Sequence, residues 1–430
     1  MSHSLGQVVF HVDIDAFFCQ VEQRKNPQLG TKPFAVQQHQ DIIAVNYAAR
    51  QAGVKKHMSP AQAREVLKRV GGCLVHVHTV EGGRISYEPY RQAGREVLQL
   101  LQRNAWASVV EKGSIDEAYL LFTGGPALRV DLSPEAARQM AQSLRSQLWE
   151  QLQLKASVGI ARNKTMSKLA SAAAKPDGML LALSPGEVQA LLQRTPASRL
   201  PQAGGKDSTA FAKAGIQSVA DLQSWSEQQL RQDLGFTRDR AAQLAQWARG
   251  ECSAAVAVRP PPKSLSVQMS LTPVPLPMHP SFQGRSVCDD PSSTGMLQPV
   301  EVHAETFTRR MRMLLAAMTG DLMGRICADS HEEDRWPANM ILALNISWPP
   351  KQNRFVNKTC RFPASTLSSH PPTAPSEVAT AATTSSTSAE QAPLAPLHQA
   401  MLSNATSLCA AATQGAPPGA KVVQTRASVA

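Results

Sequence analysis

Asp13 and Asp15 stand two residues apart where an apolar run, Val8-Val9-Phe10-His11-Val12, gives way to polar chain. β-branched and aromatic residues dominate that run, so it reads as a buried strand. A carboxylate beside a core is costly unless it is paired, hydrogen-bonded or bound to a metal. Residues i and i+2 of a strand point to one face, so the pair could hold a hard cation, Mg²⁺ or Mn²⁺, on carboxylate and backbone oxygens. The alternative is a strand that ends at Ile14 and enters a turn capped by Asp15. A second acidic element bears on the choice. Ala107 to Phe122 reads ASVVEKGSIDEAYLLF, with Val109-Val110 and Ala118–Phe122 as strands of a tight hairpin and Ser114-Ile115-Asp116-Glu117 at its bend. Two acidic interruptions of apolar strands in one domain favour a shared metal site.

Three basic or glycine-rich groups could serve the same chemistry. Tyr47, Arg50, Lys55 and Lys56 cluster within ten positions and offer a polyphosphate bidentate, point-charge and hydroxyl contacts; a solvated basic face is the plainer reading. Lys164 and Lys168 share a helix face, and Lys175 follows. Gly204-Gly205-Lys206 between helical stretches could present backbone N–H groups to a phosphate, with a weaker copy around Leu234-Gly235, although glycine pairs between helices are also simple turns.

The elements that position these residues follow from periodicity. Phe34–Val36 and Ile42–Val45 suggest a hairpin, and Asn46–Gln51 a helix start or strand exit broken by Gly53. A helix begins at Ser59-Pro60, a cap with proline at its first position. Tyr87–Gln102, Pro134–Gln153 and Asn163–Ala174 read as helices and Ala156–Ile160 as a strand. This order predicts an α+β sheet with helices on one face. Arg259-Pro260-Pro261-Pro262-Lys263 reads as a stiff linker and domain boundary. Beyond it, Lys263–Leu271 and Met340–Trp348 read as strands and Glu301–Met318 and Leu394–Ala412 as helices. Pro/Ser/Gly-rich inserts are expected at 273–299 and 328–337, flexible low-complexity chain at 364–395, and no element in the last eighteen residues.

The chain has 430 residues, enough for two to four structural units, and its 43% apolar content supports ordinary cores. No apolar run approaches the roughly eighteen residues of a transmembrane helix. Met1–Gln7 lacks a signal-peptide pattern, so an intracellular protein is expected. Seven cysteines stand singly without a C-x-x-C pair, which disfavours structural zinc and a disulfide framework. A net charge of +11 favours a polyanionic partner, nucleic acid ahead of membrane.

Four stretches in order, Val12-Asp13-Ile14-Asp15-Ala16-Phe17-Phe18, Tyr47-Ala48-Ala49-Arg50, Ser114-Ile115-Asp116-Glu117-Ala118-Tyr119 and Ser157-Val158-Gly159-Ile160-Ala161-Arg162-Asn163-Lys164 with Lys175-Pro176, resemble the Y-family DNA polymerases. The likeness runs from residue 8 to 271 and more faintly to 412. Ala35-Val36-Gln37-Gln38, Gly53-Val54-Lys55-Lys56, Gly215–Gln223 and Pro261–Ser264 look like the iota branch. Ser114–Tyr119 and Ile42–Val45 look more like the eta branch. The iota branch is the better fit.

The resemblance implies a right-hand α+β architecture. Residues 1–20 and 80–175 would form the palm, 21–79 the fingers and 176–258 a helix–hairpin–helix thumb. An α/β little finger with low-complexity inserts would follow at 263–412, then a tail at 413–430. Asp13, Asp116 and Glu117 would be catalytic. Asp13, the Ile14 carbonyl and Asp116 would hold a nucleotide-side Mg²⁺ (or Mn²⁺), with Glu117 joining Asp13 and Asp116 on a second, primer-side ion. Asp15 would not be a ligand. Tyr47, Arg50 and Lys175 would bind the triphosphate, Phe18 would exclude a 2′-hydroxyl beneath the sugar, and Gln38 and Lys56 would cover the nascent base pair. Gly204, Gly205 and Lys206 would hold the DNA backbone.

The implied function is translesion synthesis on primer–template DNA with dNTPs, iota-like, in the nucleus. An eta-like bypass enzyme is the alternative, then a non-catalytic DNA-bound scaffold of the same fold or a palm-containing nucleotidyl cyclase. Lys56 stands where eta-type enzymes place an arginine. No ubiquitin-binding zinc finger, no clamp-binding peptide and no final little-finger strand can be read, so the sliding clamp and ubiquitinated replication factors are partners implied by the family alone.

Overall fold

The computed structural model describes residues 7–80, 84–103, 106–123, 133–201, 203–260, 263–275, 339–348, 352–361, 395–413 and 421–429, with helical positions between 309 and 326. The predicted inserts beyond residue 275 and most of the low-complexity stretch lie outside the described residues. The chain divides into two compact units, Met1–Arg259 and Pro260–Ala430, at the proline run.

In the first unit the strands are β1 (Gln7–Ile14), β2 (Phe34–Gln38), β3 (Asp41–Val45), β4 (Cys73–His76), β5 (Thr79–Val80), β6 (Arg84–Ile85), β7 (Val109–Lys112), β8 (Glu117–Thr123), β9 (Ala156–Ala161) and β10 (Met179–Ala182). The helices are α1 (Phe17–Lys25), α2 (Tyr47–Gln51), α3 (Pro60–Arg69), α4 (Glu88–Gln102), α5 (Pro134–Leu152), α6 (Lys164–Ala174), α7 (Pro185–Arg194), α8 (Gly205–Lys213), α9 (Glu227–Gln232) and α10 (Arg238–Ala248).

The central sheet has the order β10-β9-β1-β8-β7. β1 lies between β8 and β9, antiparallel to both, and is buried along nearly its whole length. Val8, Phe10, Val12 and Ile14 face one side, where Tyr90, Ala93, Val97 and Leu101 of α4 and Ala137, Ala141, Leu144 and Leu148 of α5 cover them. These helical residues recur every three or four positions, which makes one apolar stripe per helix. Ser133 accepts from Ala136 N–H and Pro134 occupies the first turn, which fixes the start of α5.

Helices do not lie on one face alone. α6 packs against the opposite face, its Ser171 hydroxyl meeting His11 of β1, and Met166, Leu169 and Ala170 continue into a core with α7, α8 and α10. β1 is buried on both faces, so strand–helix order in sequence left the side of α6 open. A smaller sheet, β3-β2-β4, packs on α2 and α3.

Glu111 on β7 ties this sheet to the chain that leaves the unit. Its carboxylate is 4% exposed and accepts from Lys164 Nζ at 2.7 Å, Arg259 Nε at 3.0 Å and Ala257 N–H at 3.0 Å, while Val256 packs with Val9 and Tyr119. Burial alone would raise the Glu111 pKa, but these donors outweigh it and hold it below 4.5. The resulting stability is present above the unfolded carboxyl value and is lost as pH falls through the depressed native value. Glu111→Gln is therefore expected to cost about 1–2 kcal/mol at neutral pH. In urea melts the gap from wild type should narrow as pH falls below 4.5; a gap independent of pH would show that the charge of Glu111 is not what stabilises.

In the second unit, β11 (Leu265–Pro275), β12 (Asn339–Trp348), β13 (Gln352–Arg361) and β14 (Lys421–Val429) form a sheet of order β11-β14-β12-β13. Two helices accompany it, α11 (positions between 309 and 326) and α12 (Ala395–Thr413). Met311, Leu315, Met318 and Leu322 give α11 its buried stripe. The stretch 413–430 is not a tail: β14 is a central strand that pairs with β11 and β12 along its length. Its β-branched residues Val422, Val423, Thr425 and Val429 carried that signal without strict alternation. β13, also unforeseen, is an edge strand of largely polar sequence. Cys19, Cys73 and Cys252 are free thiols.

Candidate active site

β1 and β8 bring the acidic residues together through backbone register. Asp13 stands opposite Glu117, and Ile14 N–H donates to the Asp116 carbonyl at 2.9 Å. Asp116 lies in the bend before β8, and Glu117 opens the strand. Asp13, Asp116, Glu117 and the Ile14 backbone thus occupy adjacent positions at one end of the sheet.

The carboxylates do not close into a cluster. Asp13 Oδ1 is 2.6 Å from Lys175 Nζ, Glu117 Oε2 is 2.6 Å from Lys168 Nζ, and Asp116 Oδ1 accepts from Ser114 Oγ at 2.5 Å. Among the described residues, no three acidic, His or Cys side chains stand close enough to hold a metal as placed. Like charges at adjacent positions repel, so each carboxylate turns to its nearest donor. Burial raises the Asp13 pKa against the pull of Lys175. Burial also opposes ionisation of Glu117, but the nearby His11 ring and the Lys168 ammonium bring its pKa down to about 2. Burial lowers the His11 pKa. The oxygen donors are of the kind that a hard divalent cation takes.

β1 ends at Ile14, so Asp15 is not on the strand and does not share the face of Asp13. Asp15 is 3% exposed and is a hub. It accepts from Tyr47 Oη at 3.1 Å, from Ser157 Oγ at 3.0 Å and from Asp177 N–H at 2.6 Å. It thereby fixes the hydroxyl of Tyr47 and the turn that follows Lys175, two of the expected triphosphate residues. Ala16 then adopts a left-handed φ of 43°, an uncommon conformation for a residue with a Cβ, and α1 starts at Phe17.

Arg50 donates from Nε to the Val45 carbonyl at 3.0 Å, and its guanidinium carbon lies 4.7 Å from the Tyr47 ring centroid. Asn46 caps α2 and ties it to β2 by accepting from Ala49 N–H and Phe34 N–H. Phe18 sits in an aromatic group, its ring centroid 4.4 Å from Tyr90 and 6.0 Å from Tyr87. The Tyr87 hydroxyl donates to Gln38 Oε1, which links two of the expected residues through one that sequence reasoning passed over. Lys56 is exposed on the turn before α3. Gly204, Gly205 and Lys206 are exposed at the N-terminus of α8, in the helical group apart from the carboxylates.

The sequence reading assigned no role to His11 or to Lys168 at the acidic centre. Sequence spacing places Lys168 only on a helix face with Lys164. Histidine inside an apolar strand has no local signature beyond its polarity.

The sheet sets carboxylates beside lysines, with a half-buried tyrosine and an exposed arginine nearby, an oxygen and cation set of the kind that suits a hard cation and phosphate groups. Residues 12–172 match the model of the impB/mucB/samB family. The chain is 30% identical over 241 residues to DNA polymerase IV of Ectopseudomonas mendocina, covering 55% of this chain and 63% of that protein. It is 31% identical over 245 residues to DNA polymerase IV of Legionella pneumophila, with the same shares. To DNA polymerase eta of Arabidopsis thaliana it is 30% identical over 283 residues, covering 54% of this chain and 41% of that one. The chain thus spans less than two thirds of the length of these relatives. The resemblance to Y-family translesion polymerases is borne out by these matches. Among the described residues, no helix is long and apolar enough to cross a membrane.

Proposed function

We propose that the chain is a DNA-directed DNA polymerase that extends a primer 3′-hydroxyl with dNTPs on damaged templates. The observation that supports this most is the register that sets Asp13 opposite Glu117 with Asp116 bonded to Ile14 through the backbone, beside a lysine for each of two carboxylates. The first unit would supply palm, fingers and thumb within the ranges read from sequence, and the second the little finger.

Asp13, the Ile14 carbonyl, Asp116 and Glu117 would hold Mg²⁺ or Mn²⁺. A pair of such ions lowers the pKa of an attacking hydroxyl and neutralises a leaving pyrophosphate. The chain's own groups do the rest. Lys175 and Arg50 bind triphosphate oxygens, where charge builds during transfer, and the Tyr47 hydroxyl joins them by turning its one proton from Asp15 to the phosphate. Asp15 holds Tyr47 and the 175–177 turn in place for that task. Lys168 keeps Glu117 ionised. Phe18, braced by Tyr87 and Tyr90, closes the space beside the sugar C2′, and Gln38 and Lys56 cover the base pair. Gly204–Lys206 offer backbone and ammonium contacts to DNA phosphates.

An ammonium at position 56 in place of a guanidinium favours the iota branch over eta, and the nuclear location follows that branch. The sliding clamp and ubiquitinated factors belong to the same proposal. A non-catalytic scaffold has no need of three carboxylates that burial and mutual repulsion disfavour.

The test is single-nucleotide insertion opposite each template base and a thymine dimer, with dNTPs and rNTPs, for wild type and Phe18→Ala. Poor, biased insertion opposite template T supports the iota type, whereas efficient insertion of two adenines opposite the dimer supports eta. Phe18→Ala is expected to relax discrimination against ribonucleotides by about 10- to 100-fold, the range that small changes in pocket shape command. Unchanged discrimination with a lowered melting temperature would reduce Phe18 to a core residue. No metal-dependent insertion by wild type would remove the polymerase reading.

A further inference from the structure

His11 is fully buried, and its Nε2 is a buried side-chain atom without a hydrogen-bond partner among the described residues. Leaving a buried polar group unused costs of order 1–3 kcal/mol. The atom is aimed at the acidic centre: it lies 3.4 Å from Glu117 Oε2, the same oxygen that Lys168 Nζ meets at 2.6 Å. The ring itself is clamped. The Tyr119 ring centroid is 4.6 Å away, and Nδ1 is 2.6 Å from Ser171 Oγ.

The Ser171 hydroxyl has one proton and two acceptors in reach, His11 Nδ1 and the Lys168 carbonyl at 2.9 Å. With a single hydrogen on the imidazole, a Ser171 proton given to the carbonyl puts that hydrogen on Nδ1, and Nε2 turns a lone pair on a carboxylate oxygen. If the hydroxyl proton goes to Nδ1, Nε2 carries the hydrogen and faces Oε2 attractively. Only the second arrangement is favourable at both ends.

We propose that His11, with its tautomer set by Ser171, is a positioning residue that pins Oε2 of Glu117 together with Lys168 and so would leave Oε1 to serve a cation. This rests on the polymerase reading of the site. Both Lys168 and Ser171 stand on α6 one turn apart, so one helix supplies the ammonium and sets the imidazole. Partners that orient a metal ligand from behind typically govern affinity by 10- to 100-fold.

The experiment measures Mn²⁺ affinity of the full chain on primer–template DNA by electron paramagnetic resonance, beside kcat and dNTP KM, in wild type, His11→Leu, His11→Gln and Ser171→Ala. His11→Leu should bind Mn²⁺ about 10-fold more weakly and lose about 10-fold in kcat, with dNTP KM within about twofold. His11→Gln, whose amide N–H reaches in the same direction, should recover most of both. Ser171→Ala should show the same losses in weaker form, and it decides the matter if His11→Leu does not fold. Wild-type Mn²⁺ affinity in either His11→Leu or Ser171→Ala, or a glutamine variant as poor as leucine, overturns the assignment while the polymerase reading stands. A wild type that neither binds Mn²⁺ nor extends primers overturns both.

Discussion

Asp116→Ala is expected to lower primer extension by at least about a thousandfold while primer–template affinity stays within a few-fold. Asp116 is the cleanest probe of the three carboxylates. Its side chain accepts only from Ser114 Oγ among the hydrogen bonds seen, and the bond that joins it to β1 uses its backbone carbonyl, which alanine keeps. Asp13→Ala would strand Lys175, and Glu117→Ala would strand Lys168 and His11, so either variant mixes lost chemistry with rearranged charge. Removing a half-exposed side chain with one local hydrogen bond should move stability by no more than about 0.5 kcal/mol. Activity and fold therefore separate. Extension that survives Asp116→Ala would remove Asp116 from the catalytic set, and loss of DNA affinity in parallel with extension would assign it to DNA binding instead.

The parts of this site that could be read from sequence were those where one residue contradicts its own surroundings. Asp13 interrupts an apolar strand, and Asp116-Glu117 interrupt an apolar hairpin. Asp15 looked like their equal because only the strand's length distinguishes it, and β1 ends one residue earlier. Its real partners lie 32, 142 and 162 residues away at Tyr47, Ser157 and Asp177, a separation that no local pattern encodes. His11 and Tyr87 were passed over for the same reason, since burial beside a site is a property of packing. The division at Pro260 was legible because prolines announce it. β13 and β14 were not, because a polar edge strand and a short β-branched stretch near the chain end lack the apolar alternation on which strand assignment depends.

Gly159→Val should be the most destabilising single change near the site, costing at least about 3 kcal/mol, the upper end of overpacking effects. β propensity argues the other way: valine in a strand interior gains up to about 1 kcal/mol over glycine. Sterics decide. A Cβ on Gly159 would meet the Ser167 carbonyl oxygen at 2.0 Å and the Ser171 nitrogen at 2.2 Å, both backbone atoms of α6. Neither can rotate away, so α6 must lift off β9. That helix carries Lys168 to Glu117, Ser171 to His11, and at its end Lys175 to Asp13. The variant should therefore combine a lowered melting temperature with a weakened dNTP KM, and Gly159→Ala should show the same pair of effects in smaller form. Gly186, in the first turn of α7 with nothing within 4 Å of an added Cβ, is the control. Gly186→Ala should stabilise by about 0.5–1 kcal/mol through helix propensity and leave KM unchanged. Wild-type stability in Gly159→Ala would mean that α6 does not rest on β9. The lysines and the imidazole partner would then have to reach the carboxylates from another direction.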